Sequence, residues 1–188
     1  MKMKILNILI ILFLAFYSLS CTFYSLAGSI PTHIKSIAIP LMENQTAEFG
    51  ISEDITDGIL DEFNQLGIFD ITDEYSANSI LQGIVKKVSE GPYTFNKQES
   101  VSEYRYKIDV EIIWYDVLND KNLIKKTYSG FGAYGVSGDI STDGIDNDND
   151  GKVDDDDDDE FGEPRSFATQ VAVRKIAEDI LNDIMTTW

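Results

Sequence analysis

The sequence has 188 residues, 43% of them hydrophobic, and a formal net charge of −18. This length suits one domain with a hydrophobic core of its own. With 33 acidic residues against 15 basic ones, the chain offers no basic patch of the kind that nucleic-acid binding requires, so nucleic acid is excluded as a partner.

The first twenty residues are typical of a bacterial secretory signal peptide. Lys2 and Lys4 precede an apolar run, Ile5–Phe16, and the small residues Ser18 and Ser20 follow it. This run is too short to cross a membrane comfortably, because a spanning helix needs about 20 apolar residues. We therefore predict that residues 1–20 are removed on export.

Cys21 is the only cysteine and lies where cleavage would expose it. It has no partner for an internal disulfide, and an odd cysteine in an exported protein needs another explanation. Its position directly after Ser20 resembles the lipobox of bacterial lipoproteins, although Ser18 stands where that motif prefers leucine. We predict that Cys21 is lipidated and that residues 21–31 tether the domain to a membrane. The alternative is plain secretion with an incidental cysteine.

The first half of the domain predicts a strand followed by an amphipathic helix. His33–Leu41 alternates apolar and polar side chains, as strands do, and Met42–Gly50 is a polar loop. The next apolar residues recur every three or four positions, as on one face of a helix: Ile55, Ile59, Phe63 and Leu66. Ser52 is the predicted N-cap and Gly67 the predicted end of this helix. Ile68–Ile71 is long enough only for a minor strand.

Three longer segments and a second helix complete the predicted fold. The second long strand is Ser79–Ser89, with a less regular extension towards Phe95. The clearest strand is Glu103–Tyr115, in which six side chains on one face are apolar: Tyr104, Tyr106, Ile108, Val110, Ile112 and Trp114. Asn122–Tyr134 is the fourth strand, and the apolar residues of Ser166–Met185 have helical spacing. The order β-α-β-β-β-α predicts an α+β two-layer sandwich, with a four-stranded mixed or antiparallel sheet and two helices on one face.

Two segments carry a resemblance to a known family. They are SIPTHIKSIAIPLMENQTAE, residues Ser29–Glu48, and VAVRKIAEDILNDI, residues Val171–Ile184. With the three-strand meander between them, they make residues 32–188 similar to the LptE family, the lipopolysaccharide-assembly lipoproteins of Gram-negative outer membranes. The resemblance implies a protein on the periplasmic face of the outer membrane that sits inside the β-barrel LptD. It also implies that the protein helps this barrel to assemble and contacts lipopolysaccharide on its way to the surface.

Contact with lipopolysaccharide phosphates would use lysine or arginine side chains. The candidates are four lysines on two of the predicted strands: Lys86, Lys87, Lys125 and Lys126. A solvated strand face that protects the sheet edge is an equally good interpretation of these lysines.

Residues 139–163 interrupt the LptE-like pattern with an acidic insert of 13 carboxylates and one lysine. Within it, DNDNDGKVDDDD has the spacing of a calcium loop, with aspartates at alternate positions and a glycine at the sharp turn. The predicted ligands are Asp146, Asp148, Asp150, Lys152 through its carbonyl oxygen, Asp154 and Asp157. Because no helical pattern flanks the loop, it is more similar to the aspartate-rich calcium-binding repeats of secreted proteins, such as thrombospondin type 3 repeats, than to an EF-hand. The alternative is a self-repelling acidic loop without a ligand.

The sequence predicts neither an enzyme nor a required cofactor. Its only histidine, His33, has no evident partner and is interpreted as a surface or turn residue, and Cys21 is expected to be acylated. The alternative to the barrel-associated role is another periplasmic lipoprotein with a similar fold, either an activator of a cell-wall synthase or a secretion-pore subunit. The short tether favours a partner close to the membrane.

Overall fold

The computed structural model describes residues 30–135, 144, 146, 151–153 and 163–186. Its elements are β1 (Ser36–Ala38), β2 (Glu43–Asn44), α1 (Ile51–Leu66), β3 (Asp70–Ile71), β4 (Ser79–Phe95), β5 (Val101–Asp116), β6 (Lys121–Gly135) and α2 (Pro164–Thr186). The predicted signal peptide, Cys21 and most of the acidic insert lie outside the described residues.

The strands form one mixed sheet in the order β3-β1-β4-β5-β6, and β2 pairs with β4 beyond the end of β1. β4, β5 and β6 are antiparallel, whereas β1 lies parallel to both β3 and β4. The predicted α+β sandwich is confirmed, but the sheet has six strands rather than four. β2 and β3 have two residues each, which is too short for an alternating pattern to appear in the sequence.

β5 supplies the central row of the core. Its even-numbered residues from Tyr106 to Trp114 are at most 1% exposed, as the alternation predicts. Tyr104 is only half-buried, and its ring stacks on that of Tyr134 with a centroid distance of 5.9 Å. Burying a large apolar side chain stabilises a fold by about 1.5–3 kcal/mol. This row therefore fixes which face of the sheet the helices cover.

α1 begins ahead of its predicted N-cap. Gly50, with φ 81°, precedes the helix, and Ser52 lies buried in the first turn, so the N-cap prediction is wrong. Ile51 is almost fully buried. Packing of its side chain makes Ile51 the first helical residue, one position before Ser52. The predicted end is confirmed, because Gly67 has φ 58° and its N–H donates to the carbonyl oxygen of Phe63.

α2 crosses β6 at very short range over two glycines. A Cβ atom on Gly130 would lie 2.0 Å from the carbonyl oxygen of Ala172, and one on Gly132 would lie 2.2 Å from that of Ala168. The glycine-rich segment is therefore part of the strand, which continues to Gly135. The absence of side chains here lets the helix backbone rest directly on the strand.

Arg165 ties the first turn of α2 to the rest of the domain. Its guanidinium binds Glu48 at 3.0 Å and Glu90 at 2.9 Å, and it lies 4.7 Å from the centre of the Tyr106 ring. Glu90 also accepts a hydrogen bond from the hydroxyl of Tyr134, near the end of β6. The two points where the acidic insert leaves and rejoins the domain are thus held by one network.

Candidate functional site

The sheet face opposite the helices, here called the open face, is the candidate site. The odd-numbered residues of β5 point to it, together with their partners on β4 and β6. Its cations are Lys86, Lys87, Arg105, Lys107 and Lys125, and its carboxylates are Glu103, Asp109 and Glu111. Over β4, β5 and β6 the open face therefore carries more positive than negative groups, although the whole chain has a net charge of −18. The register places two further carboxylates on the same side of the sheet at its other edge, Glu43 of β2 and Asp70 of β3.

Charges of opposite sign alternate at the centre of the open face. The carboxylate of Glu111 lies 3.5 Å from Nζ of Lys86 and 3.8 Å from Nζ of Lys125. Asp109 pairs with Lys107 at 2.8 Å. Partial burial disfavours the ionised form of Asp109, but hydrogen bonds, first of all that from Lys107, outweigh burial and lower the pKa of this carboxyl. The carboxylates hold the lysine ammonium groups in place without neutralising all of them.

One end of the open face holds a guanidinium between two aromatic rings. Cζ of Arg105 lies 5.5 Å from the ring centre of Tyr93 and 5.9 Å from that of Phe131. Both rings are exposed. Cation–π contacts use the face of the guanidinium plane, so the N–H groups at its edge can still bind an anion. A fixed cation beside exposed rings suits a ligand that carries both phosphate and hydrocarbon.

Lys126, one of the four predicted lysines, does not belong to the open face. Its Nζ binds Oδ2 of Asp183 on α2 at 2.6 Å and lies 4.9 Å from the ring centre of Tyr128. Lys126 pairs with Ile112 of β5, whose side chain is in the core. Lys126 therefore points to the helical layer and fastens α2 to β6.

Lys86, Lys87 and Lys125 do lie on the open face, and two further cations join them. Arg105 and Lys107 were not among the predicted contact residues. The signal that could have identified them is the alternation of β5, which places both opposite the buried row.

A second polar cluster lies where the chain enters β1. Nε2 of His33 is 2.9 Å from Oδ2 of Asp116, whose side chain is fully buried, and Nδ2 of Asn119 donates to the same oxygen at 2.8 Å. Burial alone would raise the pKa of Asp116, but the hydrogen bonds from Asn119 and His33 outweigh it and lower this pKa to about 2. The prediction that His33 lacks a partner is wrong, because its partner lies 83 residues away in the sequence.

The described part of the acidic insert contains two of the predicted calcium ligands. The backbone N–H of Gly151 donates to Oδ2 of Asp146 at 3.0 Å, and Gly151 has φ 96°. Lys152 follows this glycine, and the remaining predicted ligands lie outside the described residues: Asp148, Asp150, Asp154 and Asp157. Among the side chains that the structure describes, no three His, Cys, Asp or Glu residues are placed to hold a metal ion.

The groove between α1 and α2 is acidic and does not suit an anionic ligand. It has a volume of about 700 Å³ and is lined by Glu48, Asp54, Asp57 and Asp61, among others. Burial and the neighbouring carboxylates, Glu53 first among them, raise the pKa of Asp54. Neither of the two helices described here is long and apolar enough to cross a membrane.

The chain is similar to known proteins in sequence and in fold. The family model described as "LptE: Lipopolysaccharide-assembly" matches residues 34–187, and no curated protein matches the sequence. A hypothetical protein from Chlamydia trachomatis has a similar fold at 8% identity, with a TM-score of 0.52 over 82% of this chain and 99% of that one. A protein from Xanthomonas campestris is also 8% identical, with a TM-score of 0.50 over 81% and 85%.

A third solved structure is an uncharacterised lipoprotein from Nitrosomonas europaea. It is 10% identical, with a TM-score of 0.48 over 88% of this chain and 92% of that one. At 8% identity the structures from Chlamydia trachomatis and Xanthomonas campestris show a shared fold and nothing about activity.

Proposed function

This chain belongs to the LptE family of non-enzymatic lipopolysaccharide-assembly lipoproteins, and we propose that it associates with the β-barrel LptD and contacts lipopolysaccharide bound for the outer leaflet. The observation that carries the proposal is the family match over residues 34–187. We further propose that Cys21 is acylated after removal of residues 1–20 and anchors the protein to the periplasmic face of the outer membrane.

The open face is the surface that we assign to lipopolysaccharide. Arg105 and Lys107 supply cations for phosphate groups, and the exposed rings of Tyr93 and Phe131 offer apolar surface for acyl chains. Hydrogen bonds between charged groups are stronger than those between neutral ones. A ligand that presents phosphate next to hydrocarbon therefore matches this surface better than it matches the acidic groove between the helices.

The proposed partner is tested by purification from outer membranes in mild detergent. We expect a large β-barrel to co-purify in a near-equal amount. Co-purification of a cell-wall synthase, or recovery of a ring made of this protein alone, would instead support one of the two alternative roles.

Replacing Arg105 by glutamate is expected to weaken binding of purified lipopolysaccharide at least about tenfold, because losing a hydrogen bond to a charged group costs about 1.5–3 kcal/mol. Lys175→Glu is the matched control. Lys175 is exposed, pairs with Asp179 at 2.9 Å on the outside of α2, and the charge changes by the same amount. Binding measured by surface plasmon resonance should fall only for Arg105→Glu. An equal loss in both variants would show that net charge, rather than the open face, governs binding.

A second activity, calcium binding by the acidic insert, is favoured by the contact between Gly151 and Asp146. A glycine with positive φ at the sixth position, bonded to the first carboxylate, suits the turn that converging oxygen ligands require. We propose that Asp146, Asp148, Asp150, Asp154 and Asp157, with the carbonyl oxygen of Lys152, bind one Ca²⁺.

Titration calorimetry with calcium chloride is expected to give a binding isotherm with one site for the wild-type protein and no binding heat for Asp146→Ala. Asp57→Ala is the control, since Asp57 is an exposed carboxylate of α1 and its removal changes the net charge equally. If the wild-type protein gave no calcium heat, or if both variants lost it equally, the acidic insert would have no such site.

A further inference from the structure

β6 is an edge strand, and within the described residues no other strand lies on its outer side. It comes last in the strand order and pairs only with β5. In such a strand, every second residue points its backbone N–H and C=O groups away from the sheet. A row of unpaired donors and acceptors is a template on which another extended chain can add as a strand.

The second half of β6 lacks the features that usually keep an edge strand from pairing. From Thr127 to Gly135 no residue is charged and none is proline. Pairing with β5 is regular from Ile124 to Gly135, without a bulge. Natural proteins protect their sheet edges with charged side chains, proline or bulges. The segment Thr127–Gly135, about 30 Å long at about 3.3 Å per residue, is therefore expected to have a partner.

The two lysines that precede this segment do not protect it. Nζ of Lys126 binds Asp183 of α2 at 2.6 Å, and Nζ of Lys125 lies 3.8 Å from the carboxylate of Glu111 on β5. Both ammonium groups are thus directed to partners within the domain. An edge is protected by a charge that would be buried when a second strand arrives, and neither lysine is placed to have that effect beyond Thr127.

The free side of β4 shows the contrast. β1 and β2 pair with β4 only as far as Val85, so Lys86–Phe95 has no neighbouring strand on that side in the part of the chain that the structure describes. This stretch contains charged residues, Pro92 and three register shifts relative to β5. Each of these features discourages strand addition. Of these two edges, only that of β6 is unprotected.

α2 forms one wall of a groove beside β6. Asp179, Asn182 and Asp183 of the helix face Lys126–Ser129 of the strand around a cavity of about 340 Å³. The side chains of an added strand would alternate between this groove and the open face. The last turn of α2 carries no basic residue, and the C-terminal end of a helix has a partial negative charge. The groove therefore suits basic side chains and others that donate hydrogen bonds.

We propose that the edge of β6 from Thr127 to Gly135 binds an extended segment of the β-barrel partner, which adds to the sheet as a further strand and places basic or hydrogen-bond-donating side chains in the groove beside α2. This inference rests on the proposed association with the barrel and assigns that association to one surface. A second copy of the chain fits this edge less well, because two molecules of net charge −18 repel each other. A strand added in the plane of the sheet leaves the open face accessible to lipopolysaccharide.

The test is residue-resolved hydrogen–deuterium exchange of the full-length protein, alone in detergent and in the complex purified from outer membranes. In the protein alone, every second amide of residues 127–135 should exchange rapidly, because no strand accepts its hydrogen bond. In the complex, exchange of that set should slow at least about tenfold, whereas the amides bonded to β5 should change little. Unchanged exchange of the outward set in a complex that contains the barrel would overturn this inference and leave the association standing. Failure of any barrel to co-purify would overturn the association and the inference together.

Ala133→Lys adds a charge to the β6 edge, and Gly91→Lys is the matched control. Ala133 and Gly91 lie opposite Arg105 on its two neighbouring strands, so the two variants gain the same charge beside the same cation. We expect Ala133→Lys to reduce recovery of the barrel severalfold and Gly91→Lys to leave it unchanged. Equal losses would overturn the assignment to β6. Edge protection that rises with the concentration of the protein alone would instead show that a second copy occupies the edge, and would overturn the proposal.

Discussion

Gly132→Val is expected to push α2 away from β6 and to lower the free energy of unfolding by about 3 kcal/mol. A Cβ atom at this position would lie 2.2 Å from the carbonyl oxygen and 2.6 Å from Cα of Ala168. These are backbone atoms of a packed helix, so they cannot turn aside as a flexible side chain can. Urea unfolding followed by circular dichroism measures the change.

Gly91→Val is the control for this prediction. Gly91 is also a strand glycine, but a Cβ atom there would meet no atom within 4 Å, so we expect a change of at most about 0.5 kcal/mol. Gly130→Val should act like Gly132→Val, because its Cβ would lie 2.0 Å from the carbonyl oxygen of Ala172. Equal destabilisation by the changes at Gly91 and Gly132 would mean that the helix contact does not explain the loss.

Asp116→Ala is expected to lower the free energy of unfolding by about 2 kcal/mol, because it leaves several donors without an acceptor. The carboxylate accepts the backbone N–H groups of Leu118 and Asn119, the amide of Asn119 and Nε2 of His33. The same change should release the start of the domain from the β5–β6 turn, which hydrogen exchange at residues 30–36 would detect. Asp61→Ala, at an exposed position of α1, is the matched control.

The contact between Asp116 and His33 also predicts that the free energy of unfolding depends on pH. Hydrogen bonds from Asn119 and His33 overcome the effect of burial and lower the pKa of Asp116 from 3.8 to about 2. The ionised carboxyl therefore contributes stability above pH of about 4, and this contribution is lost as the pH falls towards 2. The wild-type protein should lose more stability over that range than Asp116→Ala does. Equal acid sensitivity of the two proteins would show that this carboxyl does not carry the effect.

The alternation of apolar residues in the strands and their helical spacing in α1 and α2 predicted the core from the sequence. In β5, apolar residues at every second position identified the buried row, and only Tyr104 departs from it, because its ring lies towards the end of the sandwich and stacks on Tyr134. The family prediction is confirmed by the match over residues 34–187. The predicted minor strand within Ile68–Ile71 is confirmed as β3, whereas β2 was not predicted, since two residues have no periodicity and only pairing with β4 makes them a strand.

Side-chain direction on β4 and β6 was decided by register. Strict alternation would place Lys86 and Lys87 on opposite faces, yet a bulge between Val85 and Lys87 brings both to the open face. Lys125 and Lys126 are also consecutive, but no bulge separates them, so Lys126 turns to α2. A bulge adds one residue to one strand, and nothing in a local sequence window shows it.

The sequence by itself determined the order of the longer elements, the buried face of β5 and the family, because these depend on short-range periodicity and on residue order. Only the tertiary structure decided which cations of β4 and β6 share a face with Arg105, and which residue partners His33. Those contacts join residues distant in the chain, His33 and Asp116 being 83 positions apart. They depend on strand register, bulges and helix placement, which the packing of the whole core sets together.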